Sequence, residues 1–175
     1  MIGHRGGAED RLMSRQLIAP RLPWANRWTE PTTRQLLEPI QETHRKPFEH
    51  VFKQVGAIDR VRRSLIWYGL AWQWTFLYEL LDEAGKVVET LCYLVPRTEL
   101  PLLCVPLSES LMQRLPMRRL GKVARDGVRT APCAIKLHWA IWSPANQTEA
   151  IQLLDLIKRK HKLVLFPKEP AKASR

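Results

Sequence analysis

The chain predicts an α+β fold, an antiparallel sheet of about four to five strands packed against N- and C-terminal helices. Three observations carry that expectation. Large apolar residues alternate from Trp72 to Leu80, which is the period of a half-buried strand. The turn-rich stretch Asp82-Glu83-Ala84-Gly85-Lys86 then returns the chain into a second apolar run, Val87–Val95, as an antiparallel hairpin. Toward both ends of the sequence, apolar residues recur instead at helical spacing, with capping residues in front of them.

The chain has 175 residues, 45% of them apolar, which suits one domain with its own core. Residues 1–23 read as a mobile tail with Gly6-Gly7 and scattered charge, 24–166 as the domain, and 167–175 as a loose tail rich in Lys, Pro and Ala. Thr29 or Thr32 caps a first helix, and Pro39 breaks the pattern within 34–44. A second helix runs from Pro47 to Val55, with Phe48, Val51, Phe52 and Val55 on one face and Gly56 as its stop. Leu102–Leu107 is a third strand, and its flanking Pro101 and internal Pro106 suit an edge or a strand end.

Ser108 caps a short helix that Pro116 ends. Asp126-Gly127 is a turn pair, and residues 135–142 form a further strand. On it Ile135, Leu137, Trp139 and Ile141 alternate with Lys136, His138, Ala140 and Trp142. Asn146 and Glu149 make a capping box for the last helix, which ends in Lys158-Arg159-Lys160.

Charge narrows the choice of partners. The formal net charge is +11, and its distribution is uneven. Acids dominate 76–110, whereas 111–136 carries Arg114, Arg118, Arg119, Lys122, Arg125, Arg129 and Lys136 against Asp126 alone. Three cysteines are too few and too scattered for a disulfide framework, so reduced thiols in the cytoplasm are expected. No apolar run approaches the ~18–20 residues of a membrane span, and Leu17-Ile18-Ala19 is cut by Pro20 and Arg21 before it can form a signal-peptide core. No membrane partner is expected.

Catalytic motifs are missing from the sequence. It carries no Gly-rich phosphate loop, dinucleotide fingerprint, nucleophile elbow or paired-His helix. No catalytic residue and no cofactor are expected from it. A metal site is not expected either. Cys92, Cys104 and Cys133 lack short ligand spacing, and Cys133 and His138 have opposite parity on a single strand.

Two readings of the aromatics compete. They pack as a sheet face under helices, or some of them line a ligand pocket. Trp142 and His138 lie on the opposite parity from the apolar residues around them, so they are the candidates for an accessible position. With Trp67, Tyr68 and Trp72 they form the candidate site for a small ligand between sheet and helices. The alternative is a nucleic-acid partner held by Arg114, Arg118, Arg119, Lys122, Arg125 and Arg129, aided by Lys158–Lys162.

Trp67-Tyr68-Gly69, Trp72 and Trp74 leading to Tyr78, Thr90–Leu94, Trp139, and Leu153–Lys160 together resemble a bacterial family. It is a domain-of-unknown-function family with a YdhG-like fold, and the likeness runs from about Trp28 to Lys162. The resemblance implies a compact α+β domain with an antiparallel sheet and packed helices. It implies no established activity and transfers no catalytic residues. The long basic N-terminal stretch and the excess of arginine depart from the family's pattern.

Overall fold

A computed structural model describes residues 25–166; both tails, and Trp24, lie outside them. Helix α1 (Thr33–Leu37) opens on Thr32, whose side chain caps it reciprocally with Gln35. Pro39 falls in the break before α2 (Glu42–Gly56), which starts five residues ahead of Pro47. Then follow β1 (Val61–Trp67), the short α3 (Gly69–Trp72), β2 (Trp74–Leu81), β3 (Val87–Val95) and β4 (Leu102–Ser108). Helix α4 (Glu109–Arg114), a 3-10 turn at Met117–Arg119 and α5 (Lys122–Arg129) lead to β5 (Cys133–Ala134), β6 (Leu137–Trp142) and α6 (Gln147–Leu165). The strands form one antiparallel sheet in the order β1-β2-β3-β4-β6-β5.

An α+β domain with an antiparallel sheet is therefore observed, with six strands where four to five were expected. The extra ones are β1, whose Arg62-Arg63 pair breaks the apolar pattern, and the two-residue β5. Three other expectations need correction. Asp126-Gly127 is not a turn but lies inside α5, because the bare Gly127 backbone sits against the Trp142 indole. A Cβ there would collide with the Trp142 indole nitrogen. The strand expected over 135–142 is a hairpin with its turn at Ile135-Lys136. Helix α6 also continues five residues past Lys160.

One face of the sheet meets the helices. It presents Trp74, Phe76, Tyr78 and Leu80 of β2, Cys92 and Leu94 of β3, Leu103, Val105 and Leu107 of β4, and Ala140 and Trp142 of β6, all buried. Phe48, Val51, Phe52 and Val55 of α2 and Leu153, Leu156 and Ile157 of α6 fill the other side of this layer. The Tyr78 hydroxyl is satisfied by donating to Phe52 O at 3.2 Å.

Lys160 belongs to the same buried stripe of α6, one turn beyond Leu156 and Ile157, and none of its surface is exposed. Its ammonium donates to three carbonyls: Thr90 O, Leu91 O at 3.2 Å, and Pro106 O. The cause is a gap in the sheet. β3 and β4 pair only through Tyr93–Val95 and Leu102–Cys104. Below that, β3 carries a bulge between Cys92 and Thr90, and Pro106 brings no N–H. The proline that suggested an edge strand thus sits inside a central one, with an ammonium supplying the donors. Burial pushes the amine down to about 8, opposed in part by Glu89, whose Oε1 lies 3.9 Å away, and by the two buried thiols.

Replacing Lys160 by Met keeps most of the stem and strips three carbonyls of their donor. Each such orphan costs about 1–3 kcal/mol, so urea unfolding should show Lys160→Met losing at least about 2 kcal/mol after the desolvation it relieves. The pH dependence has a defined sign. Between about pH 8 and the ordinary lysine value the unfolded chain binds the Lys160 proton more tightly than the folded one, so stability contributed by this residue rises with pH. Wild type minus Lys160→Met should widen from pH 8 to pH 10; burial holds the Cys92 and Cys104 thiols above this range in the folded protein, so their contribution is common to both.

Candidate functional site

The five aromatic and imidazole candidates do not converge. Gln73 adopts φ 52°, ψ −135°, which breaks the alternation between Trp72 and Trp74 and sends them to opposite faces of the sheet. The strand therefore begins at Trp74, two residues later than the apolar pattern suggests. Trp67 stays with Trp74 on the helix side, their rings 5.8 Å apart and edge to face.

Trp142 is a correction of the opposite kind. It is not accessible: 9% of it is exposed, and its Nε1 donates to Val123 O at 3.1 Å beneath α5. The parity argument failed because His138, Ala140 and Trp142 face the helices, whereas Leu137, Trp139 and Ile141 face away. His138 lies at the rim of the helix side, with Nε2 3.0 Å from Glu109 Oε2. The Cys133 and His138 parity argument fails too, since the turn at 135–136 makes them direct cross-strand partners.

Tyr68 and Trp72 remain together, on the face that α2 and α6 do not cover. They stack at 4.8 Å and 27°, and a second stacked pair, Tyr93 and Trp139, lies beside them at 6.0 Å and 26°. Edge contacts join the pairs: Tyr68 to Tyr93 at 5.2 Å, Trp72 to Tyr93 at 5.7 Å, and Trp72 to Trp139 at 6.2 Å. Tyr93 and Trp139 reach this face from β3 and β6 across the intervening β4, where the buried Cys104 lies opposite both Tyr93 and Ile141. Sequence reasoning missed Tyr93; its odd position in Val87–Val95, out of phase with Cys92 and Leu94, was the available signal.

A strap holds the first pair in place. Tyr68 N donates to Gln73 O and Gln73 N to Gly69 O, both at 2.8 Å, while Gly69 turns at φ 81°. Arg97, from the β3–β4 connection, donates through Nη2 to Ala71 O at 2.7 Å. The strap leaves Leu70 88% exposed and Tyr68 39% exposed, and Ile141 lies open on the same face at 42%. Burial, and then the neighbouring Tyr68, push the Tyr93 phenol up to about 12, so it stays a neutral hydrogen-bonding group.

The basic candidates separate into roles. Arg114 is spent on Leu163 O at 2.6 Å. Arg118 and Arg119 are exposed in the 3-10 turn, and α5 buries Ala124 and Val128 while Lys122, Arg125 and Arg129 recur along its outer side. Arg125 lies 4.0 Å from Asp126. Of the C-terminal cations, Lys160 is withdrawn into the core and Arg159 pairs with Asp155 at 2.7 Å. A groove of about 440 Å³ opens between Glu30–Thr33 and Arg63–Leu65 and touches none of the aromatic quartet. Among the described residues no group of three or more His, Cys, Asp or Glu is placed to hold a metal ion, and no helix is long and apolar enough to cross a membrane.

Gln73 holds a backbone conformation that costs a side-chain-bearing residue about 1–3 kcal/mol. Gln73→Gly should relieve it and stabilise the fold by roughly 0.5–1 kcal/mol after the entropy cost of glycine. A thermal melt reads this directly, and a lowered midpoint would show that the Gln73 side chain contributes more than its backbone strains. Comparison of the chain with protein-family models, with curated proteins and with solved structures finds no match.

Proposed function

We propose that this protein is a cytoplasmic, YdhG-like, non-enzymatic binding module that takes a small ligand with a flat apolar surface on the open face of its sheet. One observation carries the reading: two stacked aromatic pairs in mutual edge contact on the side of the sheet away from α2 and α6. Aromatic faces gain from stacking a planar partner, and the phenols of Tyr68 and Tyr93 supply the few polar groups that orient one. The space between sheet and helices is occupied by the core, so the ligand belongs on the other face than the sequence suggested.

The probe 8-anilinonaphthalene-1-sulfonate tests this with the folded protein. Tryptophan quenching should saturate, and Trp72→Ala or Tyr68→Ala should weaken binding about tenfold in variants that circular dichroism shows to be folded, since stacking is worth about 1–3 kcal/mol. Unchanged affinity in both variants would remove the aromatic face as the site.

A second reading rests on α5. Lys122, Arg125 and Arg129 recur at three- and four-residue spacing on its outer side, with Arg118 and Arg119 just ahead of it. That arrangement suits the phosphates of a nucleic acid. Fluorescence anisotropy with short single- and double-stranded DNA and RNA should then show affinity that falls steeply with salt. Arg118→Glu with Arg119→Glu should flatten that salt dependence, whereas no binding at low salt retires this reading.

A further inference from the structure

The hairpin β5–β6 sets Cys133 directly across from His138, and Glu109 reaches the same histidine from α4. Its two linking residues, Ile135 and Lys136, both have positive φ, at 51° and 62°, the backbone of a type I′ reversal. In such a hairpin Ala134 and Leu137 form the closing hydrogen-bonded pair, so Cys133 and His138 are the next pair, in the non-hydrogen-bonded position. Trp139 N donating to Pro132 O at 2.9 Å fixes that register. Side chains at such a pair project to the same face with Cβ atoms about 4.5–5.5 Å apart. Cys133 and His138 therefore project from the same face of the hairpin as cross-strand neighbours.

The third group is Glu109, the first residue of α4. Its Oε2 lies 3.0 Å from His138 Nε2, and its other oxygen accepts from Gln113 Nε2 at 3.3 Å. These two hydrogen bonds, the His138 one first, hold the Glu109 carboxyl below its ordinary range. An ionised carboxylate only accepts, so Nε2 carries the proton and Nδ1 is the ring nitrogen left to act as a base. Lys136, in the turn, is the nearby cation in sequence. Cys133 is exposed, whereas Cys92 and Cys104, the other two cysteines of the chain, are buried.

We propose that Cys133 is a nucleophilic thiol with His138 as its base and Glu109 as the positioning residue, and that it is a site of mixed-disulfide formation with low-molecular-weight disulfides. His138 Nδ1 takes the thiol proton, directly or through one water. The thiolate attacks one sulfur of the disulfide; a new S–S bond forms to Cys133 as the old one breaks. The departing thiolate leaves as a thiol with the proton from the imidazolium. Cys133 is oxidised, half of the reagent is reduced, and the imidazole returns to its starting state.

The folded full-length chain reacted with 5,5′-dithiobis(2-nitrobenzoate) tests this, because the burial of Cys92 and Cys104 makes the fast phase report Cys133. One equivalent should react at least about tenfold faster at pH 7 than glutathione does, and Cys133→Ser should abolish that phase. His138→Gln should bring the rate down to that of an ordinary thiol and move the pH–rate profile toward that of glutathione. Glu109→Gln should shift the profile in the same direction by less. Mass spectrometry after incubation with glutathione disulfide should place the adduct on Cys133. A wild-type rate equal to that of glutathione, a profile unmoved by His138→Gln, or an adduct absent from Cys133 would each overturn the proposal.

Discussion

Between β3 and β4 the backbone ladder stops after three residue pairs, and below it the carbonyls of Thr90, Leu91 and Pro106 turn toward α6. An ammonium has three donors, and Lys160 brings them to these three acceptors. Burying a charge in an apolar layer is costly, and it is tolerated where every donor is matched. The placement of α6 over the sheet follows from that match, because the lysine can reach the gap only when Leu153, Leu156 and Ile157 lie against the strands above it. Much of the packing on the helix side is thus organised around one polar contact rather than around apolar volume alone.

The two faces of the sheet have different fates. On the helix side, aromatic and aliphatic residues of β2 are closed off by α2 and α6, with Phe52 edge-on to Phe76 at 4.9 Å. On the other side, among the described residues, the strap 68–73 lies over the strands, and the aromatics there pack on one another. Gln73 is the switch between the two. Without its left-handed φ, Trp72 would continue the β2 alternation and enter the core beside Trp74, and the quartet would lose a member.

Much of the scaffold was legible in the residues. The alternation from Trp74 to Leu80, the Asp82–Lys86 turn, and the caps Thr32, Ser108 and Asn146 all encode local structure through side-chain direction or short-range hydrogen bonds, so a pattern reveals them. The site was far less legible. Positive φ at Gln73, Ile135 and Lys136 falls on residue types that rarely adopt it, so nothing local marks those turns. Missing the turn at 135–136 put Cys133 and His138 on one strand and so on opposite faces. The apolar alternation of Leu137, Trp139 and Ile141 made that set look like the core side and Trp142 look open. Gly127 read as a turn because its reason for being glycine, the Trp142 indole, lies fifteen residues away in sequence. Lys160 read as a helix-end cation because its partners are main-chain atoms, which no sequence displays.

The short β3–β4 seam also divides the sheet mechanically. Strands β1, β2 and β3 pair along their lengths, as do β4 and β6, while the join between these two plates is narrow and pinned by one side chain. Tyr68, Trp72 and Tyr93 ride on the first plate and Trp139 on the second. The aromatic quartet therefore straddles this seam, and the Tyr93–Trp139 stack bridges the two plates on the face opposite Lys160.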